Sequence, residues 1–253
     1  MALTVAYEGV PFAGFARQPG LRTVQGSVEE ALATALRRPI EVACAGRTDT
    51  GVHALGQVVS FDATGDEPDD TSLLRSLNAL VGEGVSIREV RHARAGFSAR
   101  FDAVSREYRY RLVNGPVPPL FLRPVAWWVK NALDAEAMRQ GANHLLGEHD
   151  FRSFCVAASA EGKRTVRRVE AIELIAEQQL GEECLVLRVV GNAFLHSMVR
   201  TIVGTLVEVG SGRKEPQWVG DVLAARERAA AGPTAPAHGL TLWSVEYPSE
   251  VWL

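Results

Sequence analysis

The segment Cys44-Ala45-Gly46-Arg47-Thr48-Asp49-Thr50-Gly51-Val52-His53-Ala54 gathers the residue types best suited to chemistry in this chain. A carboxylate, Asp49, stands two positions from a guanidinium, Arg47, in a stretch bounded by Gly46 and Gly51. Glycines permit a tight backbone and the close approach of a ligand. A carboxylate beside a cation stays ionised at neutral pH and is suited to act as nucleophile or base. The same residue types also fit an Asx turn beside a surface ion pair, so the segment alone leaves both readings open. His53 has no second His or Cys at ligand spacing, so it reads as a structural histidine and no metal site is expected.

The elements that must position this segment follow from periodicity. Residues 40–45 and 55–61 are apolar runs that read as strands on either side of it. Leu3 to Tyr7 alternates as an earlier strand, and a loop rich in Gly, Pro and aromatics (Gly9, Pro11, Phe12, Gly14, Phe15) follows. Val24, Val28, Ala31, Leu32, Ala35 and Leu36 recur at helical spacing, with Ser27 and Glu30 placed as a capping box and Arg37-Arg38-Pro39 as the stop. A second helix is expected behind Asp70-Thr71, and a strand over 85–90. The order β-α-β-β-α-β is that of a ferredoxin-like unit.

From Ser105 the order returns. Tyr108, Tyr110 and Leu112 alternate as a strand, and Asp134 begins a helix through Met138, Ala142, Leu145 and Leu146. Strands are expected over 165–175, 184–190 and 240–245. A helix running from Phe194 through Val209 places His196 and Arg200 on one face, at i and i+4, and a further helix is expected over 218–226. The fold class expected is α+β: two ferredoxin-like units with antiparallel sheets, residues 1–103 and 104–253.

Composition bounds the rest. The chain has 253 residues, 47% hydrophobic and 23% charged, as in an ordinary globular protein with a sizeable core. No apolar run reaches the length of a membrane span, and the first residues do not read as a secretory signal. The 3 cysteines are far apart and read as buried thiols in a reducing cytoplasm. Net charge is −3, yet its distribution is uneven. Residues 88–111 hold seven arginines against three acids, residues 152–168 five bases against one, and residues 62–70 five acids with no base. Arginine suits phosphate forks and base stacking, so the clusters point to a polyanionic partner. Arg109, Arg111, Arg164 and Arg167 are the candidate phosphate contacts.

Read as a whole string, 46–53 closely resembles the G-R-T-D-x-G-V-H signature of the tRNA pseudouridine synthase A family. Tyr7-Glu8-Gly9 with Phe12, Gly14 and Phe15 resembles the family's opening motif. So do Phe97 to Phe101, Arg106 to Tyr110, Asp150 to Phe154, Asn192 to Arg200 and Gly239-Leu240 resemble later ones, in order along nearly the whole chain. Glu8 and Ala16 depart from the family's usual Asp and Gln, in a first loop that in this family touches RNA.

The resemblance implies isomerisation of uridine to pseudouridine at tRNA positions 38, 39 and 40, by a cytoplasmic homodimer needing no cofactor. It implies Asp49 as the essential carboxylate, Tyr108 as the active-site tyrosine, Arg200 as the cation paired with Asp49, and a catalytic cleft between the two units. Arg47, Leu240, Phe15, Arg17, Arg109 and Arg111 are the substrate-binding candidates. Periodicity does not choose between Tyr108 and Tyr110, which share a sheet face; the family match chooses Tyr108. The alternative is a non-catalytic RNA-binding protein of tandem ferredoxin-like units. A glycosidic hydrolase with an aspartate nucleophile would want a second acid–base carboxylate, and none lies near Asp49 in the sequence.

Overall fold

The computed structural model describes residues 1–253, except for the side chains of residues 159 and 160. The chain is mixed α+β and divides into two compact units. Unit 1 comprises Met1–Arg106 together with Thr241–Leu253, and unit 2 comprises Glu107–Leu240.

Unit 1 contains β1 (Ala2–Tyr7), α1 (Val24–Leu36), β2 (Ala43–Cys44), β3 (His53–Ser60), α2 (Asp70–Leu80) and β4 (Val85–Arg91). β1 runs antiparallel between β3 and β4, and β2 lies antiparallel along the far end of β3. A strand from the end of the chain, β10 (Leu240–Glu246), pairs in parallel with the beginning of β3, His53 opposite Thr241 and Ala54 opposite Leu242. Alternation in β1 turns Leu3 and Val5 inward, where they are fully buried with Val24, Val28, Leu32, Leu73 and Leu77 from the two helices. Each such side chain contributes roughly 1.5–3 kcal/mol by leaving water.

α1 starts at Val24, the first residue of the expected run. Thr23, not Ser27, is its cap, and the hydroxyl accepts from the Gly26 N–H. Arg37 closes the helix in the left-handed conformation, at φ 55°. The strand expected over 40–45 contracts to Ala43–Cys44, because the Val42 N–H is taken by the Glu29 carboxylate at 3.1 Å.

Unit 2 contains β5 (Ser105–Asn114, beginning at the boundary), β6 (Trp127–Val129), α3 (Ala135–Asn143), β7 (Gly147–Asp150) and α4 (Ala157–Ala160). β8 (Val166–Gln179), β9 (Glu182–Gly191), α5 (Met198–Gly210) and α6 (Trp218–Ala225) follow. Its strands are ordered β5-β9-β8-β7, with β6 parallel beside β5. Tyr110, Leu112, Met138, Leu145, Phe151 and Phe154 form its fully buried interior with Ile202, Val203 and Leu206 of α5.

The expected helix from Phe194 begins only at Met198, because Ser197 adopts the left-handed conformation at φ 59°. His196 therefore lies in the preceding loop and shares no helical face with Arg200. Two short strands, β6 and β7, were not expected from the pattern, and Leu145 and Leu146 fall beyond the end of α3.

Candidate active site

The Asp49 loop joins β2 to β3 and is tied down at several points. The Tyr7 and Thr48 hydroxyls share a buried hydrogen bond of 2.8 Å. Gln57, fully buried on β3, donates to the Gly46 carbonyl at 2.6 Å. The Phe15 N–H donates to the Thr48 carbonyl at 3.1 Å, and the Val52 N–H to the Asp49 carbonyl at 3.1 Å. Arg106 is buried, and its guanidinium donates to Ala45 and Arg100 carbonyls at 3.0 and 2.8 Å. Burial pushes the Tyr7 hydroxyl far above the usual tyrosine range against the pull of its bonds to Thr48 and Gln57, so it stays a neutral phenol.

The first loop packs onto this segment through missing side chains. A Cβ on Gly9 would lie 2.2 Å from the Val52 carbonyl oxygen, so only glycine lets the two backbones meet. The Gly9 N–H donates to Nδ1 of His53 at 3.2 Å, which puts the ring proton on Nε2 and makes this histidine a clamp on the first loop. Phe15 is buried with its ring centroid 6.2 Å from that of Tyr7. Arg17 is turned back onto Glu29 at 2.9 Å, a carboxylate that also accepts from Gln25 and Val42. Asp49 is half-buried and Arg47 exposed. Unit 1 thus presents a carboxylate and a guanidinium on a loop whose backbone is fixed by Tyr7, Phe15, Gln57 and Arg106.

In unit 2, alternation along β5 separates two sets of residues. Tyr108 and Tyr110 point to one face. Tyr108 is 8% exposed and meets the Phe194 ring edge-on at a centroid distance of 5.2 Å. Tyr110 is fully buried, and its hydroxyl donates to the Pro236 carbonyl at 2.8 Å. That bond pins the loop before Leu240, where a Cβ on Gly239 would lie 2.5 Å from the Tyr110 ring. The two tyrosines that the sequence pattern could not tell apart are therefore in different employment.

Arg200 lies in the first turn of α5. Its Nε donates to the Ala235 carbonyl at 2.8 Å, while the Ala235 N–H donates to the Arg200 carbonyl at 3.1 Å. This reciprocal pair fixes the stem of the side chain. The loop before α5 is held by Asn192, whose side chain accepts from the Arg168 N–H at 3.0 Å, and by the Val156 N–H on the His196 carbonyl at 3.3 Å.

The other face of β5 carries Glu107, Arg109 and Arg111. Glu107 bridges Arg109 at 2.7 Å and Arg188 at 3.0 Å. Arg111 is 8% exposed and donates to Gln179 at 3.2 Å. These guanidiniums brace neighbouring strands, a use that the sequence reading did not anticipate. Gln57, Phe194 and Ala235 were likewise missed. Of these, only Phe194 had a signal, its place in the Asn192–Arg200 motif.

Unit 1 thus offers a half-buried carboxylate on a braced loop, and unit 2 a shielded tyrosine and a guanidinium whose stem is fixed. Comparison with known proteins gives the class: the sequence profile described as tRNA pseudouridine synthase matches residues 142–248. A protein of Methylococcus capsulatus named tRNA pseudouridine synthase A is 44% identical over 254 residues, covering 100% of this chain and 91% of that one. Proteins of the same name from Brevibacillus brevis and Frankia casuarinae are 46% and 45% identical, over 96% and 99% of this chain and 97% and 90% of theirs. The chain belongs to the tRNA pseudouridine synthase A family.

Proposed function

We propose that this chain is an isomerase that converts uridine to pseudouridine in tRNA, at positions 38, 39 and 40 of the anticodon stem-loop. The observation that carries the reading is full-length identity above 40% to proteins named for that activity. In the reaction the N1–C1′ bond breaks, the uracil turns, and C5 bonds to C1′; the C5 proton leaves and N1 gains one. The target base must first leave its stack, at a cost of a few kcal/mol.

Asp49 is the essential carboxylate in this reading. Its support is the loop itself: the backbone on both sides is fixed by buried groups, so little reorganisation is needed when charge develops. Tyr108 stacks on the uracil and its hydroxyl serves proton transfer near C5. The commitment of the Tyr110 hydroxyl to Pro236 favours Tyr108 for that role. Arg200 supplies the active-site cation, with its stem held by Ala235. Leu240 packs against the base, Phe15 and Arg17 shape the first loop for RNA, and Arg47 binds beside Asp49.

The same reading takes each half, 1–103 and 104–253, as a ferredoxin-like unit. The order β4-β1-β3, with β2 on the far side of β3, supports it for the first. It also takes the enzyme as a cytoplasmic homodimer that uses no cofactor. No described helix is long and apolar enough to cross a membrane. The test is direct: incubate the protein with unmodified tRNA transcript and map pseudouridine by carbodiimide-blocked primer extension. Stops at positions 38–40 are expected, and their absence with folded protein overturns the reading.

A further inference from the structure

The two arginine-rich segments of the sequence behave differently once folded. In the first, five of the seven guanidiniums are engaged within the protein. Arg91 lies 3.7 Å above the Trp252 ring, Arg94 bridges Asp102 at 3.0 Å, and Arg106, Arg109 and Arg111 hold carbonyls, Glu107 and Gln179.

In the second, Arg152, Arg164 and Arg167 surround the β7–β8 pair, and two arginines distant in sequence join them. The Glu227 N–H donates to Ser153 Oγ at 2.9 Å, which seats the end of α6 and the turn after it on the turn that carries Arg152. Arg226 and Arg228 arrive with that contact. Glu161 and Glu227 lie among these arginines in the sequence, and Asp150 is the carboxylate paired within the group, 3.7 Å from Arg226, with its Oδ1 already engaged by Thr165 at 2.6 Å and the Arg152 N–H at 3.1 Å. Arg228 donates to the Gly232 carbonyl and to Thr234, and Arg167 to the Arg164 and Val166 carbonyls, so both are held in fixed poses by neutral acceptors. The buried Nε of Arg167 has no partner among the described residues. Arg152 and Arg164 are exposed, and neither forms an ion pair among the described residues.

Clustered guanidiniums repel one another. Burial, together with the nearby Arg164, pushes Arg167 below the usual arginine range. A surface of this kind is stabilised by an anion with several acceptor oxygens.

We propose that Arg152, Arg164, Arg167, Arg226 and Arg228 form a phosphate-binding face at the β7–β8 end of unit 2 that grips the sugar–phosphate backbone of the RNA substrate. The phosphate contacts therefore come from this face and not from the arginines of β5. The proposal rests on the reading of tRNA as substrate. Each neutralised phosphate releases condensed counterions, so log affinity falls with log salt by roughly 0.7–0.9 per contact.

The experiment measures the dissociation constant of unmodified tRNA transcript at four salt concentrations, with pseudouridine mapping on the same samples. Arg164→Gln/Arg226→Gln should lower the slope by about 1.5 and weaken binding several-fold at low salt. Arg164→Lys/Arg226→Lys keeps the charge and should keep the slope. Arg213→Gln removes the same charge from a guanidinium bonded twice to Glu208 and should leave the slope alone. Melting temperatures within a degree or two of the parent verify folding. A wild-type slope in the glutamine pair, or a larger loss in Arg109→Gln than in that pair, overturns the proposal even if pseudouridine forms normally. A cluster-dependent slope without any pseudouridine supports the face and overturns the functional reading instead.

Discussion

Replacing Gly204 by alanine tests how the segment that fixes Arg200 is seated. Gly204 lies mid-way along α5, where the chain around Pro233 crosses so closely that a Cβ would sit 1.7 Å from the Pro233 carbonyl oxygen. Real Cβ atoms do not approach within 3.0 Å, so the segment must retreat by more than an ångström. Three bonds span that contact: Ala235 N–H to Arg200 O at 3.1 Å, Arg200 Nε to Ala235 O at 2.8 Å, and Gly232 N–H to Thr205 Oγ1 at 3.1 Å. At about 1 kcal/mol each their loss removes roughly 3 kcal/mol. Alanine is the better helix former by about 1 kcal/mol, which works in the opposite direction. The net loss of about 2 kcal/mol should lower the melting temperature by roughly 4–8 °C in a chain of this size. Circular dichroism at 222 nm measures it, and single-turnover pseudouridine formation should fall with it, because the Arg200 stem loses its anchor. The opposing sign of the helix term makes the test sharp. An unchanged or raised melting temperature would refute the account of the contact.

Asp49→Asn preserves size and removes the carboxylate; pseudouridine formation should drop by a factor on the order of a thousand or more, with tRNA affinity nearly kept. Residual activity above about a tenth of the parent would remove Asp49 from the chemistry. Tyr108→Phe should reduce turnover far more than affinity, whereas Tyr110→Phe should act on stability, lowering it by about 1–2 kcal/mol as the Pro236 carbonyl loses its donor. Equal kinetic losses at the two positions would mean that the two hydroxyls are not divided between chemistry and structure. Trp252→Ala removes a ring packed with Phe97 and Tyr247 and stacked under Arg91, and should destabilise unit 1 by roughly 2–3 kcal/mol, read from urea unfolding. A change below about 0.5 kcal/mol would show that the tail is not seated as described.

What could be read from the sequence was what lies contiguous in it. The Asp49 loop is a short fixed string, and the apolar periods of α1, α2, β3 and β9 survive in the structure with small shifts at their ends. The brace under the loop was not legible, because Tyr7 and Thr48 stand 41 residues apart and nothing local in either announces the bond. Phe194 misled for a different reason: its spacing to Met198 imitates a helical stripe, yet its ring lies against Tyr108 while Ser197 bends the chain away from helix. β7, Gly147-Glu148-His149-Asp150, has no apolar alternation to reveal it. Counting arginines gave two arginine-rich segments but could not say which guanidiniums were already engaged.

The parallel pairing of β10 with β3 has a consequence for how this protein is made. Unit 1 is assembled from both sides of unit 2 in the chain, so a ribosome completes all of unit 2 before it delivers the strand that flanks His53 and Ala54. Until then the start of β3, the strand that leads directly out of the Asp49 loop, has an open edge. A nascent chain can bury α1 and α2 against β1 early, but the loop acquires its last neighbour only when β10 emerges. Vectorial synthesis thereby delays competence: truncated products that end within unit 2 would hold the whole Asp49 motif and yet lack the strand that closes its support.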